Sequence, residues 1–365
     1  LKDPIPEVRA KAAFAVGGFG DDAKAAVPDL TALLKDKDEQ VRASAAAGLG
    51  EVGPAAKAAV PALAAALKDR DAEVRLNAAA ALGAVGPAAR AGEKALADCL
   101  KDEDEGVRGQ AAESLGKVGA DPAVAVPALA AALADKHPGV RGDVAHALAT
   151  FKDKARPAVP PLTRMLKDPD HGVRVHAAEA IHDITGDIKM VLPVLVEGLK
   201  HEDPFVRGDA AHTLGEIGPP AREAAAALRA LLKDENAGIR VHAAEALVKV
   251  DRGAAKDALP VLIEGLKSED ATLRAEAASD LETRKAAIDA LLKPVGETMA
   301  AYQQPTTTLE ERRQQARQQV EKLKRDQDAI AREAEQAAKE KNGEKRLDEL
   351  AKKQAALADE LAKLD

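Results

Sequence analysis

A valine-arginine pair returns along this chain at a fixed interval: Val8-Arg9, Val41-Arg42, Val74-Arg75, Val107-Arg108, Val140-Arg141, Val173-Arg174 and Val206-Arg207. Ile239-Arg240 keeps the 33-residue step and Leu273-Arg274 arrives one residue late, making nine occurrences in all. A unit this short cannot bury an apolar face by itself. A period of roughly 20–50 residues therefore marks supersecondary units that stack and shield one another, so chain length counts repeats rather than domains.

One unit, residues 53–85, reads GPAAKAAVPALAAALKDRDAEVRLNAAAALGAV. Pro54 after Gly53 reads as a helix start, because proline at the first helical position gives up only an amide that had no partner. Val60, Leu63 and Leu67 fall on one face of this helix A, and Pro61 within it predicts a kink. Residues 68–71 make the turn, with Asp71 as the cap of helix B. Val74, Ala78, Leu82 and Val85 then form an apolar stripe of helical period, and Gly83 and Gly86 read as its end. The pattern predicts an all-α fold: an α-solenoid of about nine 33-residue helix-turn-helix repeats, the first truncated, over residues 1–302, with closing helices at 285–302.

These residues resemble the HEAT-repeat family, in the short variant seen in phycobilisome-lyase-like proteins. The resemblance covers residues 1 to about 290 and rests on three features. They are a helix A proline (Pro28, Pro61, Pro127, Pro160, Pro193, Pro260), a turn aspartate eight residues later and an arginine six beyond it. The aspartate/arginine pairs are Asp3/Arg9, Asp36/Arg42, Asp69/Arg75, Asp102/Arg108, Asp135/Arg141, Asp168/Arg174 and Asp234/Arg240; Arg207 keeps its place although His201 stands at the aspartate position, as Ser268 does before Arg274. The resemblance implies that each arginine bonds the turn aspartate of its own or the next repeat, a ladder that sets the inter-repeat geometry. A guanidinium fork suits that task, and lysine never replaces it here.

The resemblance also implies that helix B lines the concave surface, so its non-core positions are where function is sought. Positions +2 and +5 from each arginine lie one turn apart, off the apolar stripe. The early repeats are bland there, and then four in succession carry a histidine and a carboxylate: Asp143/His146, His176/Glu179, Asp209/His212 and His242/Glu245. The alternation follows from the text RGDVAHAL, RVHAAEAI, RGDAAHTL, RVHAAEAL, a duplicated 66-residue pair. Histidine and carboxylate at that spacing suit a polar protein contact, hydrogen-bonded pairs, or ligation of a divalent metal. The metal reading draws on a similarity to the HEAT-repeat deoxyhypusine hydroxylases, whose ligands come from His-Glu dipeptides beside such arginines. Those dipeptides are absent, since Gly142, Val175, Gly208 and Val241 follow the arginines.

Composition narrows the classes further. Aromatics make up 1% of the chain and net charge is -8, which argues against nucleic acid, a partner that needs basic grooves or stacking rings. No apolar run is long enough to span a membrane. The single Cys99 excludes an internal disulfide framework and reads as a packing residue. The chain starts inside a repeat, leaving room for a preceding helix or signal peptide, so compartment is open, with cytoplasm favoured over export.

After Arg284 the pattern stops. Residues 303–308 read as a linker, and Thr308 with Glu311 as a capping box. From residue 309 the chain carries two heptad seams: Ala316, Val320, Leu323, Gln327, Ile330, Ala334, Ala337, then Leu347, Leu350, Gln354, Leu357, Leu361, Leu364. Asn342-Gly343 separates them and predicts an antiparallel coiled-coil hairpin over 309–365, with 309–319 overhanging and available to a second chain for self-association; the alternatives are one long dimerising helix and a solvated spacer helix. The expected function is a non-enzymatic scaffold or adaptor binding another protein, without cofactor or metal. The rivals are a metal-dependent enzyme or lyase-like protein using the histidine/carboxylate ridge, and a structural spacer.

Overall fold

The computed structural model describes residues 1–270 and 272–274 and, near the C-terminus, residues 322, 325–334, 336, 346, 349–354 and 356. Every regular element among the described residues is helical, with no strand. They divide into two compact units, Leu1–Val194 and Leu195–Asp365, the boundary falling inside the helix Ile188–Gly198.

Each repeat joins a helix A segment to a longer helix B. In residues 53–85 the chain turns at Gly53 (φ +64°), passes through a 3-10 segment Gly53–Ala59, and enters the short α-helix Val60–Ala66 before helix B, Ala72–Val85. The expected kink at Pro61 is thus a junction between two helices. Pro61 sits in the first turn of the second one, where its missing amide costs nothing. Pro28 and Pro160 do the same. Pro127, Pro193 and Pro260 lie inside continuous helices. Helix B ends at Gly86 (φ +70°), a backbone region that glycine enters without penalty. Gly83 does not end it: Gly83 is buried in the last turn, and a Cβ there would lie 2.7 Å from Ser114 Oγ of the next repeat.

The core follows the period. In the first unit Leu30, Leu63, Leu96, Leu129 and Leu162 recur every 33 residues on the helix A side, and Leu49, Leu82, Leu115, Leu148 and Ile181 on helix B, all fully buried. Each such side chain contributes roughly 1.5–3 kcal/mol when removed from water. In the second unit Leu214 and Leu247 continue the helix B row. Between the large residues the faces are alanine and glycine, so helices approach closely. A Cβ on Gly17 would come 2.4 Å from Gly48 Cα.

In the tail, residues 325–334 and 349–354 are helical, and the seam positions Gln327, Ile330 and Leu350 are buried. The closing helices at 285–302, the 303–308 linker, the Thr308/Glu311 box, the 309–319 overhang and the Asn342-Gly343 turn lie outside the described residues.

Candidate functional site

The turn chemistry aims helix B. Asp38, Asp71 and Asp104 accept hydrogen bonds from the amides three residues on, at 3.1, 3.1 and 3.0 Å, satisfying donors that the helix start would otherwise orphan. The arginine one turn into the helix reaches back over that turn. Arg42 Nη1 donates to the carbonyls of Asp36 (2.9 Å) and Lys37 (3.1 Å), while Nε and Nη2 each donate at 2.8 Å to the two Asp69 oxygens of the following repeat. One guanidinium thereby joins its own turn's main chain to its neighbour's carboxylate. The same bidentate pairing links Arg9 to Asp36, Arg75 to Asp102, Arg108 to Asp135 and Arg141 to Asp168. In the second unit Arg207 lies 2.8 Å from Asp234 through Nε and donates from Nη2 at 2.9 Å. Arg174 donates to the Asp168 carbonyl at 3.0 Å. Arg240 differs: it holds its own turn through Asp234 (2.8 Å) and Glu235 (3.2 Å) carbonyls, and among the described residues no carboxylate of the next turn meets it.

These contacts set the charge states. The Arg9 hydrogen bond, ahead of every other influence, holds Asp36 below the usual carboxylate range. Burial pushes Asp69, Asp102, Asp135 and Asp234 upward, yet the hydrogen bonds from the arginine and from the amide two residues on outweigh it, and all four end below their ordinary value.

With helix B fixed, the histidine/carboxylate rows divide into two kinds of position. In the first unit Asp143 and His146 are exposed, whereas His176 and Glu179 are half-buried. In the second unit Asp209 and His212 are exposed, and His242 and Glu245 half-buried. The sequence places every +2 side chain off the apolar stripe; Asp143 and Asp209 are exposed there, whereas the half-buried +2 residues lean on the preceding helix B. Asn77 Nδ2 donates to the Ala43 carbonyl at 3.4 Å. A Cβ on Gly109 would come 2.4 Å from Asp143 Oδ2, one on Gly142 would come 2.6 Å from His176 Nδ1, and one on Gly208 would come 3.6 Å from His242 Nδ1. At Gly109 and Gly142 glycine is the seat for the +2 residue of the next repeat, while at Gly208 the tighter neighbour is Ile239 Cδ1, at 3.1 Å. That complementarity is a physical reason for the Arg-Gly-Asp/Arg-Val-His alternation.

Asp143, His146, Asp209 and His212 carry the accessible chemistry. His146 Nδ1 lies 3.9 Å from Glu179. Lost hydration first raises the Asp143 carboxyl above its ordinary value, opposed by nearby His176 and reinforced by Glu113. Glu113 goes the other way, lowered mainly by its 2.6 Å contact with Lys117. A row at +9 extends the network by a further turn: Lys117, Asp183, Glu216 and Lys249, of which Lys249 sits 2.7 Å from Glu245 and 3.8 Å from Glu216. Counting one turn beyond +5 would have found it. Among the described residues no three His, Cys, Asp or Glu side chains are grouped to hold a metal ion. Nor is any described helix long and apolar enough to cross a membrane. Burial pushes the Cys99 thiol up to about 11, and its Sγ packs 3.9 Å from the Leu67 carbonyl.

Several solved structures are similar to this chain. The complex of CpcE and CpcF of phycocyanin lyase from Nostoc sp. PCC7120 is similar at 28% identity over 65% of this chain and 92% of that chain, with a TM-score of 0.47. An engineered protein is similar at 24% identity over 84% of this chain and 93% of its own, with a TM-score of 0.42. Kap121p bound to Pho4p shares the fold at 15% identity and a TM-score of 0.50, over 74% of this chain and 35% of that one. No curated protein matches the chain. The family description HEAT repeats matches residues 1–83, 60–149, 126–191, 159–224 and 192–282. With those matches running through nearly all of the stacked helices, the chain belongs to the HEAT-repeat family.

Proposed function

We propose that the chain is a non-enzymatic scaffold or adaptor that binds another protein through the polar rows on helix B: Asp143, His146, His176 and Glu179 in the first unit, and Asp209, His212, His242 and Glu245 in the second. The observation that carries this reading is the exposure of Asp143, His146, Asp209 and His212 on helices whose other faces are packed against neighbouring repeats. The half-buried members, His176 and His242, act from beneath by holding the adjoining helices in register. A broad polar contact suits a surface with almost no aromatic anchors.

The domain arrangement belongs to the same reading: repeats over 1–302, a linker at 303–308, and a coiled-coil hairpin over 309–365 that offers its overhang for self-association. The buried seam residues Gln327, Ile330 and Leu350 support it. The test replaces Asp143, His146, Asp209 and His212 together with serine and compares partners captured from the source lysate. Partners held by the native chain and lost by the variant, with helicity unchanged, are the expected result. Undiminished capture by the variant would move the contact surface elsewhere.

A further inference from the structure

The ladder has an open rung. At Arg207 the guanidinium edge formed by Nε and Nη2 meets the Asp234 carboxylate, but at Arg240 that edge meets no carboxylate among the described residues. The reason is one substitution. Ser268 occupies the turn position six residues before Arg274, where aspartate stands in most other repeats. Serine performs half of the aspartate's work. Ser268 Oγ accepts from the Asp270 amide at 3.1 Å, as Asp69 accepts from Asp71 at 3.0 Å, and Arg274 Nη1 holds the Ser268 and Glu269 carbonyls at 2.7 and 2.8 Å. The turn therefore keeps its ladder geometry while lacking the anion.

Space remains where that anion would sit. A cavity of ≈ 120 Å³ opens beside Arg240, lined among others by Val261, Glu264, Lys267, Ser268 and Leu273. That is room for several waters, and so for one carboxylate group. Arg240 stands on its wall, and the other two charged lining residues, Lys267 and Glu264, face each other at 3.9 Å. The Nη1 bonds to Asp234 and Glu235 fix the plane of the guanidinium, so its fork is oriented before any ligand arrives.

We propose that this cavity is a carboxylate-binding site, in which an external carboxylate completes the rung through two parallel hydrogen bonds from Arg240 Nε and Nη2. Its occupant is a small free carboxylic acid or an aspartate-type side chain of another polypeptide. The site is independent of the histidine/carboxylate rows.

The test uses the full chain and follows the Arg240 Nε–H signal by NMR, assigned through its loss in Arg240→Lys. Acetate and N-acetyl-aspartate methylamide are titrated separately, against chloride at equal ionic strength. A saturable shift with either carboxylate, absent with chloride, is expected; response to the blocked aspartate alone assigns the site to a polypeptide, and equal response to both assigns it to any carboxylate. In Ser268→Asp the new side chain fills the rung, so the signal starts at its paired position and apparent affinity falls at least about tenfold, or ~1.4 kcal/mol. No carboxylate-specific shift in the native chain, or an equal shift in Ser268→Asp, overturns the proposal.

Discussion

Arg108→Lys isolates what the guanidinium fork contributes beyond its charge. Arg108 is almost fully buried and donates four hydrogen bonds: to Asp135 Oδ2 at 2.6 Å and Oδ1 at 3.0 Å, and to the Asp102 and Glu103 carbonyls at 2.8 and 3.1 Å. Lysine keeps the charge but offers one nitrogen on a differently shaped stem, so it serves the carboxylate or the carbonyls and not both. Losing two hydrogen bonds that involve a charged group, at ~1.5 kcal/mol each near the low end of the usual range, gives a local cost of about 2–3 kcal/mol. Lys101→Ala, an exposed change in the same repeat, should stay within about 0.5 kcal/mol. Native-state hydrogen exchange by mass spectrometry suits a stack of repeats better than one global melting temperature, since such arrays open piecewise. Amides of Glu105–Lys117 and Pro138–Thr150 should exchange roughly 30- to 150-fold faster in Arg108→Lys. Those of Glu39–Val52, two repeats away, should hardly change. Equal effects from the two substitutions, or a uniform acceleration along the chain, would refute the argument that the fork joins neighbouring repeats.

Acid should dismantle the same ladder. Its aspartates have folded-state values below the ordinary 3.8, so the unfolded chain takes up protons first, and their stabilisation is full above that value and lost as pH falls through the depressed values. Circular dichroism against pH checks it, and Asp135→Asn should flatten the slope. Asp143, raised instead, has the opposite sign: its carboxylate destabilises the fold once ionised, so Asp143→Asn should gain stability at neutral pH and change little in acid. Gly142→Ala should cost about 1–3 kcal/mol by urea unfolding, because its Cβ would lie 2.6 Å from His176 Nδ1, and His176→Ala in the same chain should recover part of that loss. Lys152 holds φ +50° at the place where Gly53, Gly86 and Gly119 stand in other repeats, and its ammonium is 2.6 Å from Asp183. Lys152→Gly removes about 1 kcal/mol or more of strain against an exposed ion pair that contributes little, so its urea midpoint should rise.

The repeat was legible because one period governs several independent signals at once. Arg42, Asp69 and Asp71 each announce a bond that geometry then makes, and Leu63 and Leu82 mark the two sides of the core. Pro61 and Gly83 were misread for one reason. A proline marks a first turn as readily as a kink, and a glycine marks close packing as readily as a helix end, so only the neighbouring chain decides. In these cases the neighbours were the Gly53–Ala59 segment and Ser114. The rows on helix B were visible as a list of polar residues but not as a division into seats and exposed positions. That division depends on which glycine of one repeat lies under which side chain of the next. A sequence scan at +1 against +2 one repeat later, Gly109 with Asp143 and Gly142 with His176, contains it. The open rung at Arg240 was visible only as an odd serine, because the consequence lies in what fails to meet the arginine.

The scaffold reading stands or falls on where a partner touches. Photo-crosslinking residues placed singly at His146 and His212 should give covalent adducts with the bound protein in the source lysate. The same residue at Arg156 or Glu223, exposed positions on the 3-10 segments Lys152–Ala158 and Pro219–Ala224, should give none. Adducts confined to Arg156 and Glu223, with His146 and His212 silent, would contradict the account.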